Sequence, residues 1–306
     1  MTKVKYADYS KALAIFFVIM GHMIEMTNVG DGKWIIDTLC YLLHVPTFLI
    51  ISGYLFSKSY MKHTLKEVII TKSIRLLFPY LIWTLLLTLY TVIINGMSLG
   101  DSFCYSSNAL WYLAFLWACI ICTSFLFKLP NFISKMIMLL LSLCCVASPF
   151  LNSTLAKFCI HYGIFLVGFI YLDRIIASRN KYILIAMFIS GYMCLVATGY
   201  LSMLDALGTG IKTLSIFILK IMGACFLPIC FSYIEEKKEL KLLTKVGAST
   251  IYIYVLHFFI IAIYKNMNND DWFVYIISVL VVFVFTMAIG VAFENNKYLN
   301  KLFSIL

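Results

Sequence analysis

Three side chains in the stretch YADYSKALAIFFVIMGHMIEM, residues 6–26, are of the types that move protons or hold anions: Lys11, His22 and Glu25. Lys11 and His22 are eleven residues apart, which at about 100° per residue is three turns plus roughly 20°. On a helix they share one face, with the histidine ~16 Å further along the axis. Glu25, three residues on, falls near the same face. From Ala12 to Gly21 the stretch carries no charge. A histidine inside an apolar span, with a carboxylate neighbour and a cation at the entrance, is a candidate functional site. A histidine that bonds a neighbouring helix accounts for His22 equally well from this stretch alone.

The other ionisable groups in apolar surroundings are His44, His161, Lys220 and His257. Helical rise sets His22 ~20 Å above the start of its span and His44 ~14 Å below the opposite start of the next. In a core ~30 Å thick those depths are similar. His44 precedes Pro46 in HVPTFLIISGYLF, and the proline frees backbone carbonyls and bends the helix. Ser52 and Gly53 below it suit a cavity wall or close helix packing. Lys72 and Arg75 in TKSIRLLFPY are three residues apart, at the edge of a span. They either snorkel to headgroups or bind a phosphate. Lys220 stands alone in IFILKIMGACF, where its charge costs roughly 2.5–3.5 kcal/mol unless a partner or water meets it.

The elements that must position these groups are transmembrane helices. Of 306 residues, 63% are hydrophobic and 12% charged, whereas soluble domains run near 45–50% apolar and about 25% charged. Apolar runs near the ~20 residues a bilayer needs recur about ten times, at 9–28, 35–57, 76–95, 109–127, 133–150, 156–172, 182–201, 212–234, 249–265 and 272–294. Backbone satisfaction in lipid makes them helices. The expectation is an all-α polytopic bundle of about ten spans, one integral-membrane domain over 1–306.

Orientation follows from the loops. One set holds nineteen Lys and Arg, the other only Lys33, Lys157, Lys212 and Lys265, and Lys220 lies within a span. That asymmetry places both termini in the cytoplasm. The segment EEKKELKLLTK reads as a short helix on the membrane surface. The net charge of +10 is spread over short loops, which suits topology and anionic headgroups rather than nucleic acid. Most of the ten cysteines lie in apolar runs and serve as small hydrophobes. Cys119 and Cys122 form a CxxC with no second pair or nearby histidine, so no metal site is expected. No cleavable leader is evident, and no inverted repeat of the transporter kind is found.

Several segments resemble the membrane acyltransferase-3 family. DYSKALAIFFVIMGH resembles its opening motif, a basic residue, ten others and a histidine. LHVPTFLIISGYLF is similar to its second-span signature, and TKSIRLLFPYLIW to its basic loop running into Leu-x-Pro-Tyr. ALWYL, with Trp111, resembles a motif at a span start, and VGASTIYIYVLHFF a late motif with Tyr254 and His257. The five follow the family's order over nearly the whole chain. The Asp-x-x-Lys opening, with Gly before His22, is similar to the sugar O-acetyltransferase branch that includes fucose 4-O-acetylases. Many members carry arginine where this chain has Lys11, and lysine acts as a point charge rather than a bidentate fork.

The resemblance implies transfer of an acetyl group from acetyl-CoA to a hydroxyl of a cell-surface or lipid-linked glycan, in the plasma membrane. His22, Glu25, His44 and His257 would be catalytic, Lys11, Lys72 and Arg75 would hold CoA, and Trp111 and Tyr254 would bind substrate. The chemistry fits those residue types. Acyl transfer to a hydroxyl needs a base near neutrality, a water-poor site and cations for the CoA phosphates. No Gly-x-Ser-x-Gly elbow or HExxH is present, so a hydrolase or zincin lacks its motif. The competing class is a transporter of a sugar or lipid-linked glycan, with the buried His and Lys as a proton relay.

Overall fold

A computed structural model describes residues 4–27, 29–30, 32–60, 63–128, 153–198, 209–264 and 271–296. The expected span at 133–150 and loop residues 201–208 lie outside the described residues. Among the described residues every regular element is helical. In chain order these are α1 (Lys5–Glu25), α2 (Lys33–Tyr60), α3 (Leu65–Lys72), a π turn (Ser73–Leu77), α4 (Phe78–Asn95), α5 (Leu99–Ala109), α6 (Trp111–Leu126), α7 (Ser153–Ala177), α8 (Lys181–Thr198), α9 (Thr209–Glu235), α10 (Lys241–Ala248), α11 (Thr250–Tyr264) and α12 (Trp272–Asn295). Six helical stretches are long and apolar enough to cross a membrane, and up to eight if each of two bent pairs is one span. The expected run 182–201 is a shorter apolar helix, Lys181–Ala197. This is a multi-pass membrane protein.

The described chain forms two compact units. The first comprises Met1–Cys40, Ile69–Ala118 and Leu240–Leu306. Its helices are broken where the sequence demands it. Pro79 has no N–H to give the Arg75 carbonyl, and its ring would crowd that oxygen. The chain widens instead, and Phe78 N–H donates to the Ser73 carbonyl five residues back, the mark of a π turn. Trp117 Nε1 donates to Ser73 Oγ at 2.9 Å and ties α6 to that turn. α5 starts at Ser98, whose side chain accepts from Asp101 N–H as an N-cap should. α5 and α6 meet at 53°, and α10 and α11 at 70°. Between α4, α6 and α11 sits an apolar cluster of Trp83, Leu87, Leu110, Leu113, Val255 and Phe258.

The second unit comprises Tyr41–Val68 and Cys119–Glu239, and it packs by close helix contact. A Cβ on Gly53 would fall on the Phe165 carbonyl, and one on Gly168 on the Ile50 carbonyl. These reciprocal glycines bring α2 and α7 to backbone contact, as helices in lipid require when tails are as apolar as leucine. Packing, one of the two readings of Ser52-Gly53, is therefore what Gly53 does. Gly223 of α9 abuts the Leu42 carbonyl in the same way. The contacts of α2 and α7 advance in step, from His44 near His161 to Lys58 paired with Asp173. The two helices run parallel.

Candidate functional site

In the first unit α1 carries Lys11 and His22 along its length, and each has an acid one turn away. Lys11 Nζ lies 2.8 Å from the Asp8 carboxylate, and Asp8 is buried. The cation at the start of the helix is therefore held in place and partly neutralised. At the other end His22 Nδ1 faces Glu25 Oε2 at 3.5 Å, as the spacing predicts. His22 is 29% exposed and Glu25 58%, so the pair is open on one side.

The second histidine comes from the break between α10 and α11. Gly247 lies on the backbone of Asp8, where a Cβ would fall on the carbonyl oxygen. Ser249 is buried and its hydroxyl turns back to the carbonyls of Lys245 and Val246, which ends α10 and lets α11 leave at a new angle. Gly247 and Ser249 of the late motif thus fix where α11 starts against α1. Eight residues on, the His257 ring stacks on His22 with centroids 5.5 Å apart and 26° between planes. Phe258 closes the stack, 5.0 Å from His22. His257 Nδ1 donates to the Ile253 carbonyl at 3.2 Å, which leaves Nε2 as the lone-pair atom of the neutral ring. Nε2 is buried without a hydrogen-bond partner among the described residues.

Tyr254, one turn before His257, donates its hydroxyl to the Ala109 carbonyl at 3.0 Å. That carbonyl lies at the α5–α6 break, so the Tyr254 hydroxyl pins ALWYL. Its ring contacts both Tyr112 at 5.9 Å and His257 at 5.8 Å. Trp111 is 36% exposed and packs on Tyr112 and Phe115. It borders the residues that hold Tyr254 rather than the histidines themselves.

Lys72 ends α3 and Arg75 lies inside the π turn. The shared α-helical face that their spacing suggests is therefore opened by the wider turn, but the two charges still act on each other. Lys72 is half-buried and Arg75 exposed. Two adjacent cations, one free to swing, can hold a phosphate.

The remaining candidates belong to the second unit. Lys220 is 2% exposed and its ammonium sits 3.7 Å above the Tyr41 ring centroid. A desolvated cation–π contact of about 2 kcal/mol offsets most of the roughly 2.5–3.5 kcal/mol cost of the charge in the membrane. His161 donates Nδ1 to the Lys157 carbonyl one turn back at 2.7 Å and lies within electrostatic reach of Lys220 and His44.

In the first unit His22, Glu25, His257 and Tyr254 thus come together, from two stretches far apart in the chain. His44 belongs to the other unit. Two residues escape the sequence reading. Asp8 stands one turn before Lys11, a spacing visible in advance. Asp37, electrostatically coupled to Glu25, Lys33 and His22, needs the register of α2 on α1 to be found. No group of three or more described His, Cys, Asp or Glu residues could hold a metal ion.

The acyltransferase-domain family matches residues 4–294. Nodulation protein NolL of Mesorhizobium japonicum is 27% identical over 210 residues, 63% of this chain and 56% of the relative. Nodulation protein NolL of Sinorhizobium fredii is 25% identical over 185 residues, 56% of this chain and 50% of the relative. The chain spans about half the length of these curated relatives. No solved structure matches it.

Proposed function

We propose, from the premise that this chain belongs to the acyltransferase-domain family, that it is an integral-membrane O-acetyltransferase. It moves the acetyl group of acetyl-CoA to a hydroxyl of a cell-surface or lipid-linked glycan, in the plasma membrane. The observation that carries the reading is the stack of His22 on His257 beside Glu25, assembled from separate family motifs.

In the reaction His22 takes the proton of the acceptor hydroxyl as its oxygen attacks the thioester carbonyl. The tetrahedral intermediate collapses, the C–S bond breaks, and the imidazolium returns the proton to the leaving CoA sulfur. Glu25 orients the His22 ring and faces the imidazolium as it forms. His257, with its Nε2 lone pair, accepts a hydrogen bond from the same hydroxyl or its neighbour. His44, in the second-span motif, is the further catalytic candidate read from the sequence. Lys72, Arg75 and Lys11 hold the CoA phosphates, with Asp8 keeping Lys11 in place. Trp111 and Tyr254 border the substrate. The whole chain, 1–306, acts as one domain of about ten spans with both termini in the cytoplasm. The loop charges support that orientation.

Membranes given labelled acetyl-CoA test the reading. Wild-type membranes should label glycan, and His22→Ala membranes with the protein inserted normally should label it roughly 10²–10⁴-fold more slowly. Labelling within a few-fold of wild type would remove His22 from the base role.

A further inference from the structure

The end of α1 that carries His22 and Glu25 gathers further groups, Lys33, Trp34 and Asp37, that the reaction above leaves unused. α1 and the first turns of α2 run antiparallel, with Gly21 against Cys40, where an added Cβ would stand 3.2 Å from the Cys40 Cβ. Lys33 Nζ spans the link, donating to the Glu25 and Thr27 carbonyls at 3.4 and 2.7 Å. One turn from the Gly21 contact in the antiparallel sense, Glu25 on α1 comes level with Asp37 on α2. Glu25, Lys33 and His22 all lie within electrostatic reach of Asp37, as that register requires. Trp34, one turn before Asp37 and on the same helical face, is 37% exposed.

Charge and chemistry select the ligand. Two carboxylates repel a polyanion, so this end of α1 does not suit the phosphates of the donor. Carboxylates beside a partly exposed indole suit a molecule rich in hydroxyls, whose O–H groups donate to carboxylates and whose C–H face lies against an indole. A second, separate feature points the same way. His257 Nε2 is buried, without a partner among the described residues, in the ring stacked on His22. It awaits a donor, and a ligand hydroxyl is one.

We propose that Asp37 and Trp34, together with Glu25, form the acceptor subsite of this enzyme and take a neutral pyranose. Asp37 accepts hydrogen bonds from the ring hydroxyls beside the one acetylated, and the Trp34 indole stacks on the sugar's apolar face. The proposal rests on the acetyl-transfer reading and adds to it the substrate class and the residues that orient it.

The test uses full-length protein in membranes, labelled acetyl-CoA, and as acceptor the envelope glycan extracted from cells that lack the protein. Asp37→Asn keeps the side-chain shape and removes the charge. It should raise the half-saturating glycan concentration about 10-fold or more, with the half-saturating acetyl-CoA concentration within about twofold of wild type. Trp34→Ala should do the same, and Trp34→Phe, which keeps a stacking face, should restore most of the loss. A glycan dependence unchanged in both Asp37→Asn and Trp34→Ala, or an effect confined to acetyl-CoA, overturns the subsite while leaving acetyl transfer intact. Wild-type membranes that label no glycan at all would instead sink the acetyl-transfer reading, and the subsite with it.

Discussion

The two units treat their buried ionisable groups in opposite ways. In the first, helices are interrupted, at the π turn over Ser73–Leu77, at the 53° break before Trp111 and at the 70° break at Ser249. Two of them are fastened by a polar side chain reaching another element, Trp117 to Ser73 and Tyr254 to Ala109, and the third by the docking of Gly247 on Asp8. The interruptions bring histidines from distant stretches face to face and leave one partly open. In the second unit long helices cross through glycines, and the cation there lies under a tyrosine ring while His161 is bonded to its own helix. The difference teaches how to weigh an ionisable residue in an apolar span. A helix break that turns it toward another unusual residue is the pattern on which the catalytic proposal rests. A satisfied group on an unbroken helix marks architecture.

The largest effect that separates the units is catalytic. His22→Ala should lower acetyl transfer roughly 10²–10⁴-fold, while His161→Gln should leave it within about threefold. The His161 ring engages its own helix, and glutamine can replace that bond. Rates of acetyl transfer in membranes with matched protein levels decide it. If His161→Gln were as damaging as His22→Ala, the second unit would be part of the machinery and the contrast would fail. His44→Ala, measured alongside, decides to which side His44 belongs.

Next in size is the donor contrast. Lys72→Ala and Arg75→Ala should each raise the half-saturating acetyl-CoA concentration, since charge-assisted bonds contribute about 1.5–3 kcal/mol, or roughly 10- to 150-fold. Lys58→Ala, which removes a cation of the second unit paired with Asp173, should not, because exposed pairs contribute only about 0–1 kcal/mol. A response of equal size at Lys58 would move the donor site.

Much of the first unit is legible in the sequence because its signals are local. Lys11, His22 and Glu25 share a face by simple helical arithmetic, and the structure gives His22 and Glu25 as a pair. Nine of the ten apolar runs correspond to described helices. What the sequence hides is anything that depends on register between helices. The stacking of His22 on His257 needs Gly247 to dock on Asp8, and Asp37 comes within electrostatic reach of Glu25 because Gly21 faces Cys40. Pro79 is plain to see, but its consequence, a π turn that opens the Lys72–Arg75 face, follows from a backbone choice that spacing rules omit. Lys220 shows the reverse. Its cost is legible, and its remedy, the Tyr41 ring about 180 residues away, is a tertiary contact.

Packing gives a smaller contrast. Gly168→Ala in the second unit pushes a methyl group onto the Ile50 backbone carbonyl, and overpacking of that kind costs about 1–3 kcal/mol. Gly100→Ala in the first meets nothing within 4 Å, and in helix α5 alanine is favoured over glycine by about 0.8–1 kcal/mol. Thermal unfolding in detergent should therefore show a lower midpoint for Gly168→Ala and an equal or higher one for Gly100→Ala. A midpoint for Gly168→Ala equal to wild type would mean that α2 and α7 do not depend on that crossing.

The smallest effect is expected where the sequence reads as most anomalous. Lys220 is a buried charge, and removing such a charge is costly when it leaves an opposite charge unpaired. The stretches of α2, α7, α8 and α9 in its unit offer no carboxylate, because residues 41–57, 153–172, 181–198 and 209–234 contain neither Asp nor Glu. The contact to be lost is with a neutral ring, and it is worth somewhat less than the cost of holding the ammonium in the membrane. Lys220→Met keeps the length and apolar stem, removes the charge and lets the side chain stay against Tyr41 through sulfur–aromatic contact. The two changes nearly cancel, so stability in detergent should shift by less than about 1 kcal/mol in either direction, and acetyl transfer should stay within about twofold of wild type. Parallel measurement of unfolding midpoint and transfer rate separates the outcomes. A stable Lys220→Met protein that had lost transfer would show that the ammonium meets the reaction or its substrates, and the second unit could no longer be read as architecture alone.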